Sequence, residues 1–445
     1  MRSFRSLLIL AALLGGAVAY LYFVDAKKPL EEATPDKPKV FAGVEADKID
    51  QLKISTIAGG VAELQKGADG WKLTSPAPAR GDDSEITSLT SNLASVTADR
   101  VVDEAPANLG DFGLKEPVAE VSFKQKGDKD FRTLQIGSKT ATGNDLYAKV
   151  AGDKKVFLIA GYLESTFNRP PLDLRDKKVM NFDREKVDRV EIAQGTSTVA
   201  VAKSGGEWRV TAPVDARGDF GTIEGLVSKL QTTLMKSVAA EEATDLKPYG
   251  LDKPSLLVTV SLGSARAGFA LGAKSPSGDY FARDTSKNQV VTVEADTLTE
   301  LQKSATDLRR KDVFEFRTFN LSKIELTRGP DTVVFEKMKG KGKDGADAWQ
   351  NAATKKALDA TKIEAILTRL SGLRAKSFAD PKDKTGLDHP LLVVKANFDD
   401  GKKNETASIG REGANTFASR PDEPGASKLD TAEVDGILKD LDGLK

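Results

Sequence analysis

From residue 40 onward, apolar side chains follow two rhythms. Short segments such as KVDRVEIA (186–193), TVAVAK (198–203) and EWRVTAP (207–213) alternate apolar and polar residues. This period-two pattern, rich in β-branched residues, predicts half-buried strands. The rhythm then lengthens. Ile86, Leu89, Leu93 and Val96 form one series, Ile223, Leu226, Leu230 and Leu234 a second, and Ile363, Ile366, Leu370 and Leu373 a third. Their i, i+3, i+7 spacing is one apolar face of a helix. After the helix come SVAAEE (237–242), a Gly-Leu-x-x-Pro turn and four strand-like segments, SLLVTVSLG, AGFALG, YFARD and QVVTVEA. An amphipathic segment, DTLTELQKSATDL (296–308), closes the unit as a second helix. About seven strands in runs, with two helices, predict an α+β fold built on mainly antiparallel sheet.

The three helix series belong to a longer internal repeat, a feature to establish before local structure. Trp71, Trp208 and Trp349 hold matching places. So do GLKEP (113–117), GLDKP (250–254) and GLDHP (386–390), and then Ile136-Gly137, Leu271-Gly272 and Ile409-Gly410. YAKV, YFAR and FASR follow at Tyr147, Tyr280 and Phe417, and the junction DLRDKKVMNF (173–182) matches DLRRKDVFEF (307–316). Ordered landmarks with a period of roughly 135 residues predict three tandem domains, at 40–177, 178–311 and 312–445. Each is domain-sized, far longer than a solenoid unit of about 20–50 residues.

Two copies carry Arg-Gly-Asp, at Arg80 to Asp82 and Arg217 to Asp219. The third copy reads ALDATKI, dropping Arg-Gly and keeping Asp359. In each copy the aspartate lies four residues before the first apolar helix position, where an N-cap accepts free backbone N–H groups. Asp82, Asp219 and Asp359 are therefore assigned as helix caps rather than as part of an adhesion tripeptide. Arg80 and Arg217 are left with two readings, a surface ion pair or a partner contact specific to the first two domains. Trp71, Trp208 and Trp349, one per copy before that turn, are assigned as structural anchors of the helix, with a carbohydrate-stacking platform as the alternative.

Composition narrows the chemistry. Lys+Arg and Asp+Glu balance at 66 each, so no net field draws nucleic acid. With no cysteine and a single histidine, His389, thiolate metal sites, cysteine nucleophiles and a Ser-His-Asp triad have little to build on. His389 stands where Glu116 and Lys253 stand in the other copies, which reads as a solvated turn position. No metal-spaced acidic cluster and no phosphate-binding glycine loop recurs. No catalytic residue, cofactor or metal is expected. The run KMKGKGKDGADA (337–348) reads as a basic, glycine-rich hairpin insertion.

The N-terminal stretch is different. Arg2 and Arg5 precede an uncharged run of 18 residues from Leu7 to Val24. That is nearly enough to cross a hydrocarbon core of about 30 Å. It is expected to be an uncleaved single-pass anchor, with a cleaved signal ending near Ala19 as the alternative. Residues 1–24 are thus the anchor and 25–39, charged and proline-bearing, a linker. The large C-terminal part is expected outside the bacterial cytoplasmic membrane.

The tryptophan strand, the Gly-Leu-x-x-Pro turn, the IG…YAKV stretch and the DLRDKKVMNF…VDRVEI junction resemble the domain-of-unknown-function 4340 family over nearly all of the chain after the linker. That resemblance implies an accessory role beside a gliding-motility-type ABC transporter, and it carries over no catalytic residues. The expected function is a non-catalytic, membrane-anchored scaffold whose partners are envelope proteins such as ABC transporter subunits. The alternatives are an envelope glycan- or peptide-binding module and a carboxylate-dependent hydrolase.

Overall fold

The computed structural model describes residues 37–444, apart from 58, 342–346 and 381. The expected anchor from Leu7 to Val24 and most of the linker lie outside the described residues. Among the described residues no helix is long and apolar enough to cross a membrane. The chain forms two compact units that meet in sequence between Lys177 and Lys178. The first holds one antiparallel sheet and the second holds two.

All three sheets share one plan. In the first, a meander of Ile49–Thr56, Gly60–Gly67, Gly70–Ser75 and Ala79–Arg80 pairs through its first strand with a second meander. That second meander is Ala119–Gln125, Arg132–Lys139, Asp145–Val150 and Val156–Ala160, and the short strand Val101–Asp103 closes its far edge. The second sheet repeats this order with nine strands. The third has eight, because the two-residue strand after the tryptophan is reduced to a single bridge, Gln350 to Ala357. The class is α+β, and the sheets carry more strands than the expected seven per unit. The additional ones are only two to four residues long, below the length at which alternation can be read.

Seven α-helices are described: α1 (Asp83–Ser95), α2 (Leu163–Phe167), α3 (Phe220–Thr232), α4 (Thr297–Leu301), α5 (Ala305–Leu308), α6 (Ala360–Ser371) and α7 (Thr431–Asp442). In α1, α3 and α6 the apolar series Ile86/Leu89/Leu93, Ile223/Leu226/Leu230 and Ile363/Ile366/Leu370 is buried. Burying a side chain of this size contributes about 1.5–3 kcal/mol. Leu234 departs from its series and is 51% exposed. Helix α3 ends at Thr232 and Thr233 is already extended, so the helical period no longer governs where Leu234 points. The closing helix expected over 296–308 is broken into α4 and α5. Ser304 starts α5 through a reciprocal capping box with Asp307, which supplies the N–H partners that a break requires.

The recurring glycine motifs meet in space. Gly113, Gly250 and Gly386 all have φ near +65° to +68°, a conformation that favours glycine. A Cβ on Gly386 would fall 2.0 Å from the Arg411 carbonyl oxygen, next to Gly410 of the Ile-Gly pair. Each Gly-Leu-x-x-Pro turn therefore packs backbone to backbone on the strand that carries the second glycine.

Candidate functional site: the joint between the second and third sheets

Asp219, the cap of α3, sits at the end of the edge segment Ala216–Arg217. That segment pairs with the tryptophan strand on one side, where Gly218 N–H donates to Trp208 O at 2.8 Å. On the other side it pairs with the connector leading into the third sheet. Asp219 N–H donates to Leu308 O and Arg310 N–H to Arg217 O, both at 2.8 Å. Two of the guanidinium groups on this narrow ladder, those of Arg217 and Arg309, are buried.

Their partners come from the third sheet. Arg217 donates through its backbone N–H and its Nε to the Glu423 carboxylate. Its Nη1 reaches Glu315 at 3.1 Å and its Nη2 the Asp312 carbonyl at 2.9 Å. Arg309 lies 3.8 Å from Glu423 and stacks its guanidinium 3.6 Å over the Phe378 ring. Its Nε has no hydrogen-bond partner among the described residues. Beside them Arg420 donates to Glu405 at 2.5 Å and to Val313 O at 2.9 Å. Glu405 in turn accepts the N–H groups of Glu315 and Phe316. The side chains of Arg217 and Glu423 are each only 8% exposed.

The electrostatics follow from this burial. Desolvation alone would raise the Glu315 carboxyl, but the hydrogen bond from Arg217 and the charges of Arg310, Arg217 and Arg420 hold it below its usual value. Burial pushes the Arg309 guanidinium down, and the neighbouring Arg217 charge adds to that, against the opposing pull of Glu423. The cluster is a set of mutually dependent charges. Its partners are held because each, left alone, would be an uncompensated buried ion.

Arg217 is thus not a surface ion pair but a buried one. Its partner is the next sheet of its own chain. Arg80 differs. Its side chain is 57% exposed, with Asp83 at 3.9 Å. Sequence reasoning missed Arg309, Glu423, Arg420 and Glu405. Arg309 had a visible signal, since DLR recurs at both junctions. Glu423 had none, because it stands in SRPDEPG, where the third copy departs from the others.

The three aspartates accept first-turn N–H groups: Asp82 from Ser84 and Glu85, Asp219 from Thr222, and Asp359 from Lys362. Trp71, Trp208 and Trp349 are each 3% exposed, so their faces are closed to a stacking sugar. Each is paired across the ladder with a lysine: Lys66, Lys203 and Lys337. Their ammonium groups lie 6.0, 4.8 and 5.5 Å from the ring centroids. Trp208 also donates its Nε1–H to Glu224 at 2.9 Å. This lysine partner recurs five residues before the tryptophan in the first two copies. The insertion displaces it in the third. His389 is exposed in its turn. Among the described residues no group of His, Cys, Asp and Glu is arranged to hold a metal ion.

The chain matches the family model described as Domain of unknown function (DUF4340) in two segments, 71–207 and 208–390. It belongs to the DUF4340 family. The matched segments begin at Trp71 and Trp208, so residues 71–390 hold tandem copies of this domain. Each DUF4340 segment starts inside one sheet, at the tryptophan strand, and runs through the connector into the next. The Arg217 joint is made by such a connector. No curated protein matches the chain.

Proposed function

We propose that this DUF4340 protein is a non-catalytic scaffold, held at the bacterial cytoplasmic membrane by Leu7 to Val24. Its sheets stand outside the cytoplasm, where they serve a gliding-motility-type ABC transport system. The observation that carries the reading is the buried joint. Three of its enclosed charged groups, Arg217, Arg309 and Glu423, are engaged in tying the second repeat to the third. A fixed joint between two repeats is what a scaffold needs to present spaced surfaces to partners. The transporter assignment rests on the sequence resemblance. Any transport energy comes from a partner, since the sequence has no nucleotide-binding loop.

Two other readings lose support. The tryptophans that would form a sugar platform are buried. Glu224, Glu315 and Asp422 are held below their usual values, the opposite of the raised carboxyl that a glycosidase acid uses. The test is purification of the full-length chain from membranes in a mild detergent. Transporter subunits in stoichiometric amounts support the proposal. Recovery of the chain alone, with the transporter intact elsewhere in the extract, overturns it.

A further inference from the structure

The first two sheets complete the edge beyond their tryptophan strand in the same way. In the first, Asp82 N–H donates to Leu174 O and Asp176 N–H to Arg80 O, both at 2.9 Å. In the second, Asp219 and Arg310 make the equivalent bonds with Leu308 and Arg217 at 2.8 Å. The added segment is Asp-Leu-Arg-x-Lys in both cases, and its leucine, Leu174 or Leu308, is 0% exposed.

The third sheet has the acceptor without the added segment. Leu358 N–H still donates to Trp349 O at 2.9 Å, which puts 357–359 in the place of 80–82 and 217–219. Here the Asp359 N–H and the Ala357 carbonyl have no hydrogen-bond partner among the described residues. Beside this open edge lies an apolar cleft of about 250 Å³, lined by Leu326, Val333, Phe335, Leu358, Leu392 and Leu441. An Arg328–Asp442 ion pair at 2.8 Å stands at its rim. Leu444 also lines it, yet the cleft persists and the edge groups stay unpaired.

We propose that the third sheet is an acceptor for an extended segment of another protein. The segment adds along 357–359 as an edge strand, with a leucine-class side chain in the cleft. Strand addition of this kind takes affinity from main-chain hydrogen bonds and specificity from the side-chain pocket. The chemistry of the occupant is given by the two connectors that fill the same place elsewhere in the chain. A second copy is a poor donor. Its own connectors are in use, and its lead-in to the first sheet has Pro35 where Leu174 and Leu308 stand. The inference deepens the scaffold reading and rests on it only for the partner being another envelope protein.

The probe is a fluorescent peptide with the sequence of 305–312, ATDLRRKD, titrated by anisotropy against the full chain. Saturable binding is expected, weakened at least tenfold by Leu308→Asp in the peptide and by Val333→Trp in the protein, which fills the cleft. Thermal melting shows whether the Val333→Trp protein is folded; the peptide variant does not depend on that. Hydrogen exchange supplies the second readout. The Asp359 amide should exchange fast in the free chain and slow with peptide, while Asp82 and Asp219 stay slow in both. Binding indifferent to Leu308→Asp overturns the proposal, as does an Asp359 amide already protected in the free chain. Self-association abolished by Val333→Trp would give the edge to a second copy and overturn the choice of occupant. Failure of peptide binding leaves transporter co-purification untouched, so the two readings fail separately.

Discussion

Replacing Glu423 by glutamine probes the joint at its centre. The substitution keeps shape and removes one negative charge from a carboxylate that faces both Arg217 and Arg309. Arg217 would retain Glu315 and the Asp312 carbonyl, whereas Arg309 would retain the Phe378 ring face. Breaking a buried ion pair by removing one partner costs about 3–5 kcal/mol. With unfolding entropy near 2.1 cal/mol/K per residue, that lowers the melting temperature of a unit spanning 178–445 by about 5–9 °C. The assay is differential scanning calorimetry of the purified chain. The expected trace also changes shape, because the second and third sheets lose the contact that couples their unfolding. Replacing Arg217 and Arg309 by methionine and Glu423 by leucine together should recover much of the loss, since a well-packed apolar set removes the desolvation cost along with the attraction and leaves no buried guanidinium unpaired. A Glu423→Gln protein melting within 1 °C of the parent, in a single transition, would refute the claim that these charges hold the joint.

Glu315 adds a pH dependence. Its folded value lies below its unfolded one, so it contributes stability above the ordinary glutamate pKa of about 4.3. That contribution is lost as pH falls through the folded value, and acid titration of Glu315→Gln should show a shallower fall below about pH 4. Asp219→Ala removes the acceptor for Thr222 N–H and should cost about 1 kcal/mol in urea unfolding of the second unit. Gly386→Ala forces a Cβ into the Arg411 carbonyl at positive φ and should cost about 1–3 kcal/mol, measured by the same melt. Acrylamide should quench the tryptophan fluorescence weakly, and cell-wall fragments should leave it unchanged, because all three rings are buried. Strong quenching by either would restore the carbohydrate reading.

The α+β class, the apolar helix faces and the repeat were legible because each depends on periodic, local patterning. Ile86, Ile223 and Ile363 declare a buried helix face whatever lies opposite. An aspartate four residues ahead declares where the N–H groups need an acceptor. The Gly-Leu-x-x-Pro turns were legible as turns. That they lock against the Ile-Gly strand was not, since the contact joins residues more than twenty positions apart. The break between α4 and α5 was missed because one apolar face runs through it, while Ser304 and Asp307 supply a local cap that competes with the helix.

The roles of the arginines could not be read from order along the chain. Arg80 and Arg217 occupy the same phrase, yet one is exposed and the other lies among Glu423, Glu315 and the Asp312 carbonyl. A charge takes its meaning from what surrounds it in space, and Glu423 lies 206 positions from Arg217. The open edge at 357–359 is a similar case. The loss of Arg-Gly in ALDATKI is visible in one dimension. Unpaired backbone groups beside an apolar cleft appear only when the three sheets are laid over one another. Local rhythm thus decided which elements form and where they start, because backbone hydrogen bonding and side-chain burial act over a few residues. Folding decided which polar groups are satisfied and which remain open, because those partners come from distant parts of the chain.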